Sequence, residues 1–348
     1  MKNKFIEILL LIILIVTITI TLYKKNDYNE ITQGAYVSSI GIDYDIKTKE
    51  YTIYFYILNN FNLGTSQFAQ GEATNLGYVT KGTGLTIPSA IQSIKLASNI
   101  RLETSHIKSM VLKDTFFNNN NTYDLVNYIK HSPDFYPSFI VYVTSDDIKN
   151  IYEVNNFSET SAYYTLLVNN QGINKPKLTT FIDFINDVLD DNYTTMYPII
   201  KSKKDIIYDY NDEYTTLYID GFGFITNNTQ ISFFKYDNLF GLTYFNPLKK
   251  GVLSYDYFDF LVYEFYYSEL LKENHLNISI KIHGKVIQNR TNKESNELFK
   301  YLEKNIINDL NKLKETMDSY NIDVFNINHK SNNKNFKEIK LTYNIKII

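Results

Sequence analysis

Two carboxylates, Asp43 and Asp45, flank a tyrosine directly after Gly41-Ile42 in the stretch SSIGIDYDIKTKE, residues 38–50. Aspartates at alternate positions are how a calcium loop of the D-x-D-x-D-G kind begins, with a third oxygen ligand at the fifth position and a glycine at the sixth. Lys47 occupies the third-ligand position and Thr48 the glycine position, so that chemistry fails. A carboxylate pair for glycoside hydrolysis would need its second member brought from elsewhere in the chain. The spacing best fits the polar end of a strand entering a turn.

Other motifs are as sparing. Lys81-Gly82-Thr83-Gly84 lacks the spacing and lysine-serine ending of a phosphate loop and the third glycine of a dinucleotide fingerprint, so it reads as a turn before a helix. The five histidines, His106, His131, His275, His283 and His329, are scattered without an H-E-x-x-H cluster, and no G-x-S-x-G elbow accompanies them. The chain has no cysteine, which excludes disulfides, thiolate zinc sites and a cysteine nucleophile. These residues point to no catalytic group, no metal site and no cofactor.

The elements that would position such residues alternate between strand and helix. Strands are expected at Gly34–Ile42 and Tyr51–Leu58, joined as a hairpin through DYDIKTKE, and a long loop or irregular edge at 59–80. A helix begins near Thr86, with Thr86 as cap, Pro88 in the first turn and Ala90, Ile91, Ile94 and Ala97 on one face. Residues 105–112 return to strand. Tyr123–His131 is a short helix, PSFIVYVTS a buried strand and Asp146–Val154 another helix. A further amphipathic helix places Phe181, Ile182, Ile185, Val188 and Leu189 in phase. The charged segment 201–216 reads as a linker between domains. Beyond it come a hairpin turning at Asn227-Asn228, an alternating strand (Leu276, Ile278, Ile280, Ile282, Val286) and a long core helix from Ser295 to Ser319. A closing strand then carries Ile339, Leu341, Tyr343, Ile345 and Ile347 on one face. The expected fold is α+β: an N-terminal membrane helix, then a multidomain body of mixed, mainly antiparallel sheets with helices packed on them. The expected divisions are an anchor at 1–26, an α+β domain of one or two subdomains at 27–200, a linker at 201–216 and a second α+β domain at 217–348.

The first segment, MKNKFIEILLLIILIVTITITLYKKNDYNE, carries Lys2 and Lys4, then a run without charge from Ile8 to Tyr23, then Lys24 and Lys25. This is the layout of an export signal or anchor. The downstream flank offers β-branched residues, Leu and Tyr in place of the small residues signal peptidase needs, which favours an uncleaved anchor contacting the bilayer through residues 5–23. With 35 basic residues against 38 acidic ones and no basic stripe on any single predicted element, nucleic acid is not an expected partner. The 31 tyrosines and 23 phenylalanines, beside abundant Asn, Ile and Lys, fit the codon usage of an AT-rich genome.

Several of these stretches, in this order, resemble the Ger(x)C family, the C-subunits of spore germinant receptors in spore-forming Firmicutes. They are GIDYD after the export segment, GLTIPSAIQSIKLASNIRLETSHIKSMVL, YDLVNYIKHSPDF, LTTFIDFINDVLDDNYTTMYPII, IDGFGFITNNTQISFF, LNISIKIHGKVIQ and the last helix with YNIDVFNIN. The similarity covers about residues 34–348, and the positions that carry it are Gly41, Asp43, Gly84, His106, Lys130, Pro198 and Gly221. Lys130 stands where arginine is usual. The resemblance implies a non-enzymatic subunit on the outer face of the spore inner membrane, working with a larger A-type and a transporter-like B-type membrane subunit in sporulating cells. One departure matters: the family usually carries a lipobox cysteine, and this chain has none. Its tether would then be the helix itself, which anchors more firmly than one acyl chain. The rival readings are an anchored solute-binding protein with two similar lobes around a cleft, and an envelope hydrolase using carboxylates.

Overall fold

The structure is a computed structural model that describes residues 34–58, 77–98, 101–117, 120–154, 178–190, 192–209, 212–226, 230–235, 251–331 and 335–348, with the isolated positions 14, 17, 241 and 244. The expected anchor, residues 1–26, lies outside them but for two positions, and no described helix is long and apolar enough to cross a membrane.

The body is built on two sheets. In the first, β1 (Gly34–Asp45), β2 (Glu50–Leu58), β3 (Gly77–Gly84), β5 (Ser109–Lys113), β6 (Ile140–Thr144), β7 (Met196–Asp209), β8 (Asp212–Thr226) and β9 (Gln230–Lys235) lie in the order β3-β2-β1-β5-β6-β7-β8-β9. A short β4 (Arg101–Glu103) pairs with the start of β1. The flanks are antiparallel, as expected, but the centre from β1 through β5 and β6 to β7 is parallel. Parallel neighbours need a crossover, and the α2 helix (Asn121–His131) between β5 and β6 supplies one.

Both faces of this sheet are covered. Along β2, Ile53, Phe55 and Ile57 enter one core with α1 (Ile87–Ala97), α2 and α4 (Phe181–Leu189), while Tyr54 and Tyr56 enter another with Ile148, Ile151 and Tyr152 around α3 (Ile148–Tyr152). The period-2 alternation thus separates aliphatic from tyrosine, and both faces are buried. α1 begins as expected: Thr86 Oγ1 accepts from the Ser89 N–H at 3.2 Å, and Ser89 Oγ accepts from the Thr86 N–H at 3.0 Å. Ala97 is exposed, since the buried stripe ends at Ile94. In α4 the stripe is rotated from the expected one. Phe181, Phe184, Asp187 and Val188 are buried, while Ile182 and Leu189 face outward at 53% and 50% exposure. The capping box of Thr180 and Asp183 starts the helix, and the packing of Phe181, Phe184 and Val188 in the first core fixes which side faces inward.

The second sheet has the order β10-β11-β12-β13: Gly251–Tyr255, Phe258–Lys272, His275–Asn289 and Lys340–Ile347. The long helix α5 (Ser295–Tyr320) connects β12 to its parallel neighbour β13 and packs across the sheet's inner face. Leu298, Leu302, Ile306, Leu310, Leu313 and Met317 step by three and four and are all buried, each burial worth about 2 kcal/mol of transfer free energy. Asn321 closes the helix in the left-handed region at φ 58°, letting the Ile322 N–H donate to the Met317 carbonyl at 3.0 Å. A four-residue helix, α6 (Ile327–Lys330), follows.

Several local expectations change. The described residues of 201–216 do not read as a linker: 201–209 lie on β7 and 212–216 on β8, which pair with each other, and the first sheet continues to Lys235. Lys81–Gly84 is the end of edge strand β3 and not a turn, and only Ser109 onward of residues 105–112 is strand. Within the expected loop at 59–80, residues 59–76 lie outside the described ones. Phe222, Phe224 and Phe234 of β8 and β9 pack into the second core, so the outer strands of the first sheet interlock with the second unit.

Candidate functional site

Asp43 and Asp45 sit at the close of β1, and each serves the fold. Asp43 Oδ1 accepts from Thr115 Oγ1 at 2.5 Å, and Oδ2 pairs with Lys113 Nζ at 3.1 Å, tying the end of β1 to the end of β5. Asp45 Oδ1 accepts from the Lys47 N–H at 2.7 Å and shapes the β1–β2 turn, in which Lys49 adopts φ 59°. The two carboxylates are held by different partners, which suits a hairpin and not an acid-base pair.

The remaining motif positions are spread over the first sheet. Gly41 lies where a Cβ would strike Ile148 of α3, and Gly84 where it would strike the first turn of α1. Gly221 meets the Phe234 carbonyl of β9, again leaving no room for a side chain. Pro198 is buried in β7 opposite Phe222, next to the point where β6 and β7 touch at Val143 and Ile199. His106 is exposed and lies edge-on to Tyr36, with ring centroids 5.0 Å apart. Lys130 is exposed in the last turn of α2, where a cation suits the helix dipole. The structure does not bring these seven residues together.

What it does bring together is a junction between the two units, lined mostly by residues of the family-like stretches 178–200 and 320–328, neither of which showed that they meet. A cavity of about 270 Å³ lies among Thr179 and Asp183 at the start of α4, Tyr193–Met196 before β7, Tyr267 and Glu269 on β11, and Val324–Asn326 with Lys330 around α6. Polar bonds cross between the units beside it. The Thr194 N–H donates to Asn326 Oδ1 at 2.5 Å, and His329 Nδ1 lies 2.7 Å from Asp190 Oδ2. The His329 ring stands edge-on to Tyr193 with centroids 5.4 Å apart. Asp190 is held below the usual carboxylate range, chiefly by the backbone N–H of Asn192 and then by His329. Asn326 takes the left-handed conformation at φ 52°, which asparagine tolerates.

Ionisable groups near the cavity already have partners. Asp183 caps α4, and Glu269 accepts from Tyr267 OH at 2.6 Å and pairs with Lys330. Asp323 is buried and its Oδ2 accepts from the Asn328 N–H at 2.7 Å, while its Oδ1 has no partner. Burial raises its pKa, against the lowering effect of the nearby backbone N–H groups, that of Asn328 foremost. Behind the cavity Asp187 of α4 accepts from Tyr197 OH at 2.6 Å, and both side chains are buried. Burial pushes Asp187 up to about 8, with the Tyr197 and Thr195 hydrogen bonds acting against it. Asp187 was detectable in principle: it sits in helical phase with Phe184 and Val188, a polar residue inside an apolar stripe. The cross-unit bonds were not, because their partners lie more than a hundred residues apart.

The described histidines stay separate. His131 lies on the Asn127 carbonyl, His283 edge-on to Tyr266, and His275 opens β12 in an exposed position. Among the described residues no group of three or more His, Asp or Glu could hold a metal ion. The chemistry of the junction is that of a polar joint between two bodies.

Residues 27–202 match the family described as the spore germination protein N-terminal domain. No curated protein matches the chain by sequence. The crystal structure of the GerBC protein is similar in fold, with a TM-score of 0.50 over 89% of this chain and 96% of that one, at 14% sequence identity. Family match and fold agree, and the chain belongs to the Ger(x)C family of spore germination proteins.

Proposed function

We propose that the chain is a non-enzymatic, membrane-anchored subunit of a nutrient germinant receptor, carried on the outer face of the spore inner membrane beside A-type and B-type membrane subunits. The observation that carries this reading is the family match over residues 27–202, and the fold it shares with the GerBC protein accords with it. The lysine-flanked apolar run within residues 5–23 would supply the anchor in a chain without cysteine. The role is structural: two interlocked units joined by a polar seam offer a rigid body for larger membrane subunits to assemble around.

The rival with two similar lobes is not favoured. The units differ in kind, one a nine-stranded sheet covered on both faces and the other a four-stranded sheet with one long helix.

The test is genetic. Deleting the gene in a strain without paralogues is expected to abolish or slow nutrient-triggered release of calcium dipicolinate from spores, while release driven by a non-nutrient stimulus persists. Normal release with every nutrient would overturn the reading.

A further inference from the structure

No single strand of the second sheet is basic, but the sheet assembles a basic face. α5 covers the inner side, so alternate residues of β11, β12 and β13 point the other way. Lys272 on β11, Lys281 and Lys285 on β12, and Lys340 and Lys346 on β13 all stand on that outer side and are exposed. The registers bring them together: Lys281 pairs with Tyr266 on one side and Lys346 on the other, and His275 lies between Lys272 and Lys340. Among the described residues none of the five lysines forms an ion pair. Glu264 is the one exposed acid on these outer strand positions, and it accepts from Tyr266 OH at 3.0 Å. In a chain of net charge -3 this is a strong local excess of positive charge.

Apolar and aromatic groups are set among the cations. Tyr263, Tyr266 and Leu270 are 41%, 53% and 52% exposed, and Lys285 Nζ lies 5.9 Å from the centre of the Tyr263 ring. Lysine stems and tyrosine rings are the side chains that settle at the boundary between lipid and water, each with an apolar body and a polar tip. The face is also the broad side of a sheet, whose shape suits a surface more than a groove.

We propose that the outer face of β10–β13 docks on an anionic membrane surface, its lysines on lipid phosphates and its tyrosines at headgroup depth. The inference rests on the membrane-anchored reading only in that the N-terminal segment would hold the body near a bilayer. Charge complementarity selects the lipid. Each lysine held at an anionic surface multiplies partition roughly fivefold, and the attraction fades within a Debye length, about 10 Å at 0.1 M salt. The face lies outside residues 27–202, so the family match does not speak to it.

The chain has no tryptophan, which makes a local reporter available. Full-length protein carrying Tyr266→Trp is reconstituted into phosphatidylcholine vesicles with or without phosphatidylglycerol, using lipids brominated on their acyl chains. Quenching is expected to be at least about threefold stronger with phosphatidylglycerol, and to be reversed by high salt. Lys281→Glu, Lys285→Glu and Lys346→Glu together are expected to abolish that difference without changing the circular dichroism spectrum. A reporter at Tyr136→Trp, on the first unit and 64% exposed, is expected to show no such difference. Equal quenching in both vesicles, none in either, or an unaffected triple variant would overturn the proposal. So would a response to soluble polyglutamate but not to vesicles, which would assign the face to an acidic protein. The readout is independent of germination, so failure here leaves the receptor reading standing, and normal dipicolinate release in the deletion strain leaves the lipid response standing.

Discussion

Replacing Asp187 by asparagine should exchange a pH-dependent buried group for a constant one. The carboxyl is 3% exposed, accepts from Tyr197 OH at 2.6 Å, and titrates near 8 in the folded protein against 3.8 ordinarily. Between those values the folded protein keeps a proton that the unfolded chain has released. Stability from this group is therefore complete below pH 4 and is lost as pH rises toward 8. At about 1.4 kcal/mol per pH unit the full loss is about 6 kcal/mol, and relaxation with water entry brings the expected loss to about 3. Asparagine retains one oxygen for Tyr197 but adds an amide NH₂ to a buried site, at a cost of about 1 kcal/mol. The variant is thus expected to be less stable than the parent by about 1 kcal/mol at pH 4, about equal to it near pH 5, and more stable by about 2 kcal/mol at pH 9. In a chain this long each kcal/mol moves the melting midpoint by about 1 to 2 °C, so the difference in midpoint should swing by about 3 to 6 °C and change sign between those pH values. Melting followed by circular dichroism checks this, and taking the variant against the parent cancels other carboxyls such as Asp309 and Asp323. A difference in midpoint that stays constant from pH 5 to 9 would refute the assignment of Asp187 as a desolvated, titrating carboxyl.

Two further substitutions test other parts of the structure. Gly221→Ala would place a methyl group against the Phe234 carbonyl and 3.0 Å from the Lys235 Cα, so β8 and β9 must separate. A loss of about 3 kcal/mol in denaturant unfolding is expected, and a variant as stable as the parent would contradict the β8–β9 register. Replacing Asp43 and Asp45 together by asparagine removes the Lys113 ion pair, whose side chains are 23% and 22% exposed. The expected loss is about 1 kcal/mol in the same assay, with parental rates of dipicolinate release, and abolished germination in a folded variant would return these acids to candidate chemistry.

Where one side chain's partners lie within a turn or a hairpin, the sequence was enough to find the element. The three-and-four spacing from Leu302 to Met317 marks α5, Thr86 and Pro88 mark the start of α1, and alternation marks β2, β12 and β13. The errors have local causes. α4 was rotated because Ile182 and Leu189 are apolar yet exposed, whereas Asp187 is polar yet buried, and composition alone weighs the first pair above the second. The charged stretch 201–216 reads as a linker because its run of lysines and aspartates has the composition of a loop, while only the β7–β8 register shows that 201–209 and 212–216 are paired strands.

The misses at the candidate sites have a different origin, and it bears on how such a protein works. The seam between the units depends on Asp190 meeting His329 and Thr194 meeting Asn326 across separations of 139 and 132 residues, and neither pair has a spacing to read. The basic face was missed for the same reason in another form. Each of β11, β12 and β13 contributes one or two lysines at outer positions, unremarkable alone, and only the registers between strands add them into a patch. Catalysis commonly leaves local traces, because a nucleophile, a metal loop or a phosphate cradle needs several groups within a short stretch of backbone. Assembly surfaces do not, since each residue contributes only a small part and strand order does the collecting. A chain whose motifs mark glycines packed against neighbouring elements, while its charged joint and basic face emerge only on folding, has its informative chemistry at the level of surfaces. That is what a receptor subunit needs if its task is to hold a body against a membrane and other subunits.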